Sequence, residues 1–428
     1  MTRHDISGNA KLTFVPEKKF KTNFFQVCFV IDLERAYTTK LNLLGGVLLR
    51  ATKNYPGIAE INNRLDYLYD MTVSTHCFKR GERLIYSYEC DFIRDEFLPD
   101  KGEKLLCEAI EMFREIIFNP YLVDGAFDSK IIDSEKVDLA NSIKSVINYK
   151  NTYVREKCIE RLCEGERFSI SDQGNLEDID GIDAKSLYEF YNWFIRNATV
   201  EIFFSGEADE KYLCDAFGNI FSSVPERNPA PLGETYVTGK VKEQVLEVCE
   251  EMDVNQGKLA FGFRTGVRVT DEDSVAMALL GEIYGGSPMS KLFMNVREKM
   301  SLCYYCRTSI DAYKGIMLVL SGIECENKEK AVSAILRELQ DICEGKISDD
   351  EFDAAKLSLI NSYKTLSDSP SAQGMWFISR ILSGSLLTPS DIVKMLEKTT
   401  LSQVVEVSKK IKLDTVYFLK GFDKAKEA

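Results

Sequence analysis

Two rhythms of apolar and polar residues run along the chain. Thr72-Val73-Ser74-Thr75-His76-Cys77-Phe78 alternates with the period of a strand. Lys328 to Cys343 carries Ala331, Ile335, Leu336 and Leu339 at helical spacing, which predicts an amphipathic helix. Apolar runs at Phe24–Val30, Thr199–Gly206, Leu259–Phe263 and Thr415–Gly421 predict further strands. Ser348-Asp349-Asp350-Glu351 has the form of a capping box, so a helix is expected to start there.

These elements come in the same order twice. A strand and then a helix with Leu43-Leu44-Gly45 are matched by a strand and a helix with Leu279-Leu280-Gly281. Arg64 and Arg297 each precede a pair of strands. Phe127-Asp128-Ser129-Lys130 and Phe352-Asp353-Ala354-Ala355-Lys356 each open a later helix. Between the two series, Ser223 to Glu234 is rich in Pro and polar residues, as an extended linker would be. A duplicated unit follows, with runs of strands and runs of helices in place of strict βαβ alternation. The expected fold is α+β, each half one antiparallel-rich sheet with helices on one face. Residues 1–224 form the first domain, 225–242 the linker and 243–428 the second domain.

Composition narrows the function. Lys plus Arg is 54 and Asp plus Glu is 67, a net charge of −13, which argues against nucleic-acid binding. No apolar run approaches the roughly 20 residues that cross a bilayer. Met1 to Ser7 is polar and no apolar stretch follows it, so the twelve cysteines read as reduced packing residues of a cytoplasmic protein. Cys303-Tyr304-Tyr305-Cys306 is formally a CxxC, but no second pair accompanies it.

Two histidines, His4 and His76, are all the chain has. His4 lies in an N-terminal stretch expected to be loosely held. His76 falls in the alternating strand and reads as a surface or satisfied core residue. Neither has a second histidine one helical turn away, as hydrolytic zinc sites require.

One stretch is more specific. Gly285-Gly286-Ser287-Pro288-Met289-Ser290-Lys291-Leu292-Phe293 is followed by Arg297-Glu298-Lys299-Met300-Ser301-Leu302-Cys303-Tyr304, and then by Tyr313-Lys314-Gly315. This series resembles the C-terminal half of the pitrilysin/insulinase metallopeptidases, which include mitochondrial processing peptidase and the bacterial two-subunit peptidases. The resemblance covers essentially the whole chain, because subunits of that family are duplicated α+β units of this length. It implies that Arg297 and Tyr304 contact substrate, where a guanidinium fork and a phenol orient a peptide or stabilise oxyanion charge. Without the family pattern, the same two residues read as a paired structural Arg and a core Tyr.

The resemblance also shows what is missing. Active members carry H-x-x-E-H on the first long helix, two zinc ligands and a general base. Aligned on Arg50-Ala51-Thr52, those positions hold Asn42, Gly45 and Gly46. Glu135 is the candidate for the distal ligand, within Glu135 to Ile143. One carboxylate makes no zinc site, so no metal or cofactor is expected in this chain. The missing motif and Leu65-Asp66-Tyr67-Leu68-Tyr69-Asp70 resemble the inactive-looking bacterial subunits of the family. The implied arrangement is a heterodimer in which an H-x-x-E-H zinc peptidase subunit cuts a peptide that this chain helps to position. A homodimer, or a catalytically inert scaffold or peptide-binding protein of the same fold, is the alternative.

Overall fold

The computed structural model describes residues 1–99 and 104–422. Their packing separates two compact units. The first holds Met1–Lys144, Ile170–Glu234 and Ser369–Ile381; the second holds Ser145–Ser169, Thr235–Asp368 and the residues from Leu382 onward.

In the first unit the strands are β1 (Thr2–Ile6), β2 (Ala10–Pro16), β3 (Thr22–Asp32), β4 (Thr72–Arg80), β5 (Arg83–Ile93), a short hairpin of β6 (Leu122–Val123) and β7 (Ala126–Phe127), and β8 (Thr199–Gly206). The main sheet has the order β1-β2-β8-β3-β5-β4. In the second unit, β9 (Leu246–Glu251), β10 (Gly257–Arg264), β11 (Cys303–Asp311), β12 (Ile316–Ile323) and β13 (Lys412–Lys420) form a sheet of order β11-β12-β10-β13-β9. Read from its other edge, the second sheet repeats the first without β1. Each has a single parallel pair in the same place, β2 with β8 and β9 with β13. The duplication expected from the order of motifs is therefore a duplication of topology.

Period-2 alternation fixes the faces. Phe25, Val27 and Phe29 of β3, Tyr86 and Tyr88 of β5, and Ile202 and Phe204 of β8 point to one side. There they bury against Leu44 and Leu48 of the Arg35–Arg50 helix, Phe113 of the Leu105–Phe118 helix and Phe217 of the Glu210–Ser222 helix. Phe217 meets Phe25 edge-on at 5.4 Å between ring centroids. Gly45 and Gly281 let their helices lie close to side chains from the sheets. A Cβ on Gly45 would come within 3.0 Å of Tyr86 Cε2, and one on Gly281 within 2.6 Å of Ile310 Cδ1.

The expected arrangement, helices on one face and continuous halves, differs from this one in a single respect. The other face of each sheet is covered by a helix from the opposite half of the sequence. In the first unit, Phe377 of the Pro370–Leu382 helix stacks on Phe203 of β8 at 5.7 Å. In the second, Val154, Cys158, Ile159 and Leu162 of the Lys150–Leu162 helix bury against Ala260, Leu318, Leu320 and Leu419. The compact units are thus discontinuous in sequence, and the Pro-rich stretch is shared, residues up to Glu234 in the first and those from Thr235 in the second. The capping box at Ser348 opens the Asp349–Thr365 helix, and Lys328–Cys343 is helical as expected. Its buried stripe runs through Ala331, Ala334, Ile335 and Ile342, with Leu336 and Leu339 half-buried. The N-terminal stretch is not loose: β1 pairs with β2, and His4 Nε2 lies 2.6 Å from Glu210 Oε1. His76 is exposed on β4.

Candidate functional site

Asn42, Gly45 and Gly46 sit on the Arg35–Arg50 helix, spaced as the sequence places them. Each vacated position is filled by something else. Asn42 Nδ2 donates to Thr38 O at 2.8 Å and to Asp172 O at 2.7 Å, tying the helix to the segment after Ile170. Beside it, burial and then the Asp172 charge push the Cys77 thiol far above its usual range, so it stays neutral. Tyr86, fully buried, occupies the space next to Gly45. Glu135 lies directly over Gly46, where a Cβ would overlap its carboxylate. That carboxylate is 8% exposed and accepts from Arg50 Nε. Arg50 Nη2 also donates to Asp138 Oδ2 at 2.8 Å.

Glu135, the candidate distal ligand, lies against Gly46, and its charge is balanced by Arg50, one turn along the helix from Gly46. Arg50 and Tyr86 were not among the residues singled out from the sequence. Arg50 had served there as an alignment marker, and its spacing of four from Gly46 was the available signal.

Arg297 and Tyr304 are brought together in the second unit. Arg297 is on the Leu292–Lys299 helix, whose wide π turns end at Met300. Ser301 follows with φ +51°, and Leu302 N donates back to Val296 O at 3.1 Å, turning the chain sharply into β11. Tyr304 is the extra residue of a β-bulge: Cys303 pairs with Ile323 and Tyr305 with Gly322. The bulge aims the phenol outward, and Tyr304 is 57% exposed. Arg297, Glu298, Ser301, Leu302, Cys303, Tyr304 and Glu324 line an open pocket of about 380 Å³. The Arg297 guanidinium lies 4.5 Å from the Phe293 ring centroid and its Nε 3.5 Å from Glu298 Oε1. Tyr304 OH donates to Glu324 Oε1. That bond and the Glu324 charge raise the Tyr304 phenol above its usual value. Lys291, next in the same motif, is structural: its Nζ reaches Glu351 Oε1 at 2.9 Å and thereby braces the capping box.

Residues 181–359 match the family of the peptidase M16 inactive domain. A Bacillus subtilis protein, Probable inactive metalloprotease YmfF, is 32% identical over 418 residues, 98% of this chain and 97% of that protein. The chain belongs to the M16, or pitrilysin/insulinase, peptidase family. Among solved structures, a conserved protein from Enterococcus faecalis matches this M16 chain with a TM-score of 0.89 and 27% identity over 98% of each. A protease from Helicobacter pylori, with a TM-score of 0.82 over 98% of this chain and 99% of its own, shares 15% identity, a likeness of fold.

The residues of this M16 chain do not fit the zinc ion of its active relatives. Asn42, Gly45 and Gly46 offer an amide and two glycines, with no imidazole and no base, and the Glu135 carboxylate is held by Arg50. Among the described residues, no group of three or more His, Cys, Asp or Glu side chains is placed to hold a metal ion. No helix there is long and apolar enough to cross a membrane. The second unit keeps a cationic fork and a phenol on one pocket wall, the phenol donating its proton to Glu324.

Proposed function

We propose that this chain is the non-catalytic, substrate-positioning subunit of a two-chain zinc endopeptidase, with the H-x-x-E-H helix supplied by a partner M16 subunit. The observation that carries the reading is the asymmetry between the two regions. The zinc positions are replaced and filled, while Arg297 and Tyr304 share an open pocket. Arg297 would hold a peptide carbonyl through its fork, and Tyr304 would add a contact beside it. The twelve free thiols fit a reducing, cytoplasmic setting for such a complex.

The test is reconstitution. The purified chain is mixed with an H-x-x-E-H M16 subunit, and peptide cleavage is followed with wild type, Arg297→Ala and Tyr304→Phe. The reading expects cleavage to depend on the mixture and to fall in both variants. It is wrong if both variants cleave like wild type.

One observation favours a second reading, peptide binding without cleavage. The Tyr304 proton is already given to Glu324, so the phenol offers a substrate an acceptor in place of a donor. The same variants assayed for peptide binding with no partner present separate the two.

A further inference from the structure

Cys303 and Cys306 are three residues apart, which in a regular strand would put them on opposite faces. The bulge at Tyr304 removes that offset. Cys303 pairs with Ile323 and Cys306 with Ser321, residues two apart on β12, so both thiols stand on one face. Residues two apart on a strand lie about 6.7 Å apart, near the upper limit of about 6.8 Å for Cα atoms joined by a disulfide. A bulge bends its strand and increases its local twist. The two thiols are near enough for each to shift the other's ionisation. Cys303 is 8% exposed but lines the open pocket with Arg297, while Cys306 is 4% exposed and lies behind it. This is the layout of an attacking thiol at a surface and a resolving thiol beneath it.

We propose that Cys303 and Cys306 form a reactive dithiol, in which Cys303 reacts with low-molecular-weight disulfides and Cys306 closes the product to an intrachain disulfide. The Cys303 thiolate attacks one sulfur of a disulfide RSSR. A Cys303–S–S–R bond forms, and RS⁻ leaves and takes a proton. Cys306 then loses its proton and attacks the Cys303 sulfur, forming Cys303–S–S–Cys306 and expelling the second RS⁻. The protein gives up two electrons and two protons, and RSSR becomes two RSH. The charge pattern supports this division. Hydrogen bonding with Cys306, then with Ser321, and then the Arg297 charge hold the Cys303 thiol below its usual value against the opposing effect of burial. Donation to Cys303 and burial push Cys306 well above its own. Closure would pin the bulge that carries Tyr304, so the thiol state would set how that phenol stands in the pocket. The chemistry itself does not depend on peptide binding.

The experiment uses the full chain, reduced and then exposed to oxidised glutathione, with every cysteine mapped by differential alkylation and peptide mass spectrometry. The expected result is a Cys303–Cys306 disulfide that carries no glutathione. Exposed Cys107 and Cys249 act as internal controls that take glutathione and close no ring. Cys306→Ser should stop at glutathione on Cys303, and Arg297→Gln should slow that first step several-fold. The proposal is overturned if Cys303 stays reduced while the controls react, or if glutathione settles on Cys306. It is equally overturned if wild type holds a stable mixed disulfide at Cys303. Mapping of wild type decides the matter even if a variant fails to fold.

Discussion

The Arg35–Arg50 helix of the first unit and the Leu292–Lys299 helix of the second both carry family motif positions, yet their surroundings are opposite. Beside the first, the space next to Gly45 and Gly46 is closed by a tyrosine ring and by a carboxylate paired with arginine. Beside the second, a bulge and a residue at positive φ hold a phenol out into an open pocket. The difference shows one motif region closed by packing and ion pairing and the other left open. Glu135 is buried and would cost several kcal/mol unpaired, and Arg50 supplies the opposite charge. No comparable closure has occurred around Arg297. A region that served only packing would not be expected to keep an outward phenol on a bulge.

The comparison breaks most readily through Arg297. In the reconstituted complex, Arg297→Ala should lower kcat/KM by about 10²–10³-fold, the cost of removing one preorganised charge-stabilising donor. Asn42→Ala, on the other helix, should leave it within about twofold. Equal losses at the two positions would show that the regions do not divide as described.

Arg50 tests the ion pair that balances Glu135. Removing one member of a buried pair costs about 3–5 kcal/mol, and the partial exposure of Arg50 lowers the expectation for Arg50→Met to about 2 kcal/mol. Denaturant unfolding measures it. Adding Glu135→Leu should recover most of the loss, because no buried charge then remains. A double variant as unstable as the single one would mean that Arg50 acts through packing alone.

Gly45→Ala has a smaller expected effect with two opposed parts. Alanine in a helix interior gains about 1 kcal/mol over glycine. Its Cβ would stand 3.0 Å from Tyr86 Cε2, on a ring with no room to retreat, and overpacking costs about 1–3 kcal/mol. The net loss should be about 1 kcal/mol, read as a lower midpoint with an unchanged m value. A gain in stability would show that the space beside Gly45 is open.

The strands and the duplication were legible because period-2 alternation and repeated motif order are local signals. The exchange of helices was not. Lys150–Leu162 and Pro370–Leu382 each present an apolar face, and an apolar face says nothing about which sheet it covers. Asn42, Gly45 and Gly46 could be named from the family pattern, whereas the Glu135–Arg50 pair beside Gly46 depends on two helices meeting far apart in sequence. Cys303-Tyr304-Tyr305-Cys306 is set aside as a sequence motif because no second cysteine pair accompanies it. The bulge that puts both cysteines on one face is a property of the pairing with β12, invisible in either cysteine.

The finest distinction lies in the Tyr304 proton. Glu324 accepts it and adds a negative charge, and both effects favour the neutral phenol, so its ionisation lies above the ordinary value of about 10. As pH rises through about 10, exposed tyrosines should ionise while Tyr304 stays neutral, losing its proton only at higher pH. Glu324→Gln removes the charge and should return the transition toward about 10. Ring-carbon NMR of labelled tyrosine, with the resonance assigned through Tyr304→Phe, follows the single group. A peptide bound through the neutral phenol should follow the same curve, retained past pH 10 in wild type and released earlier in Glu324→Gln. If the Glu324→Gln and wild-type transitions coincide, the carboxylate does not govern the phenol. The pocket would then present Tyr304 as a free donor, which would strengthen its assignment to oxyanion stabilisation over peptide binding alone.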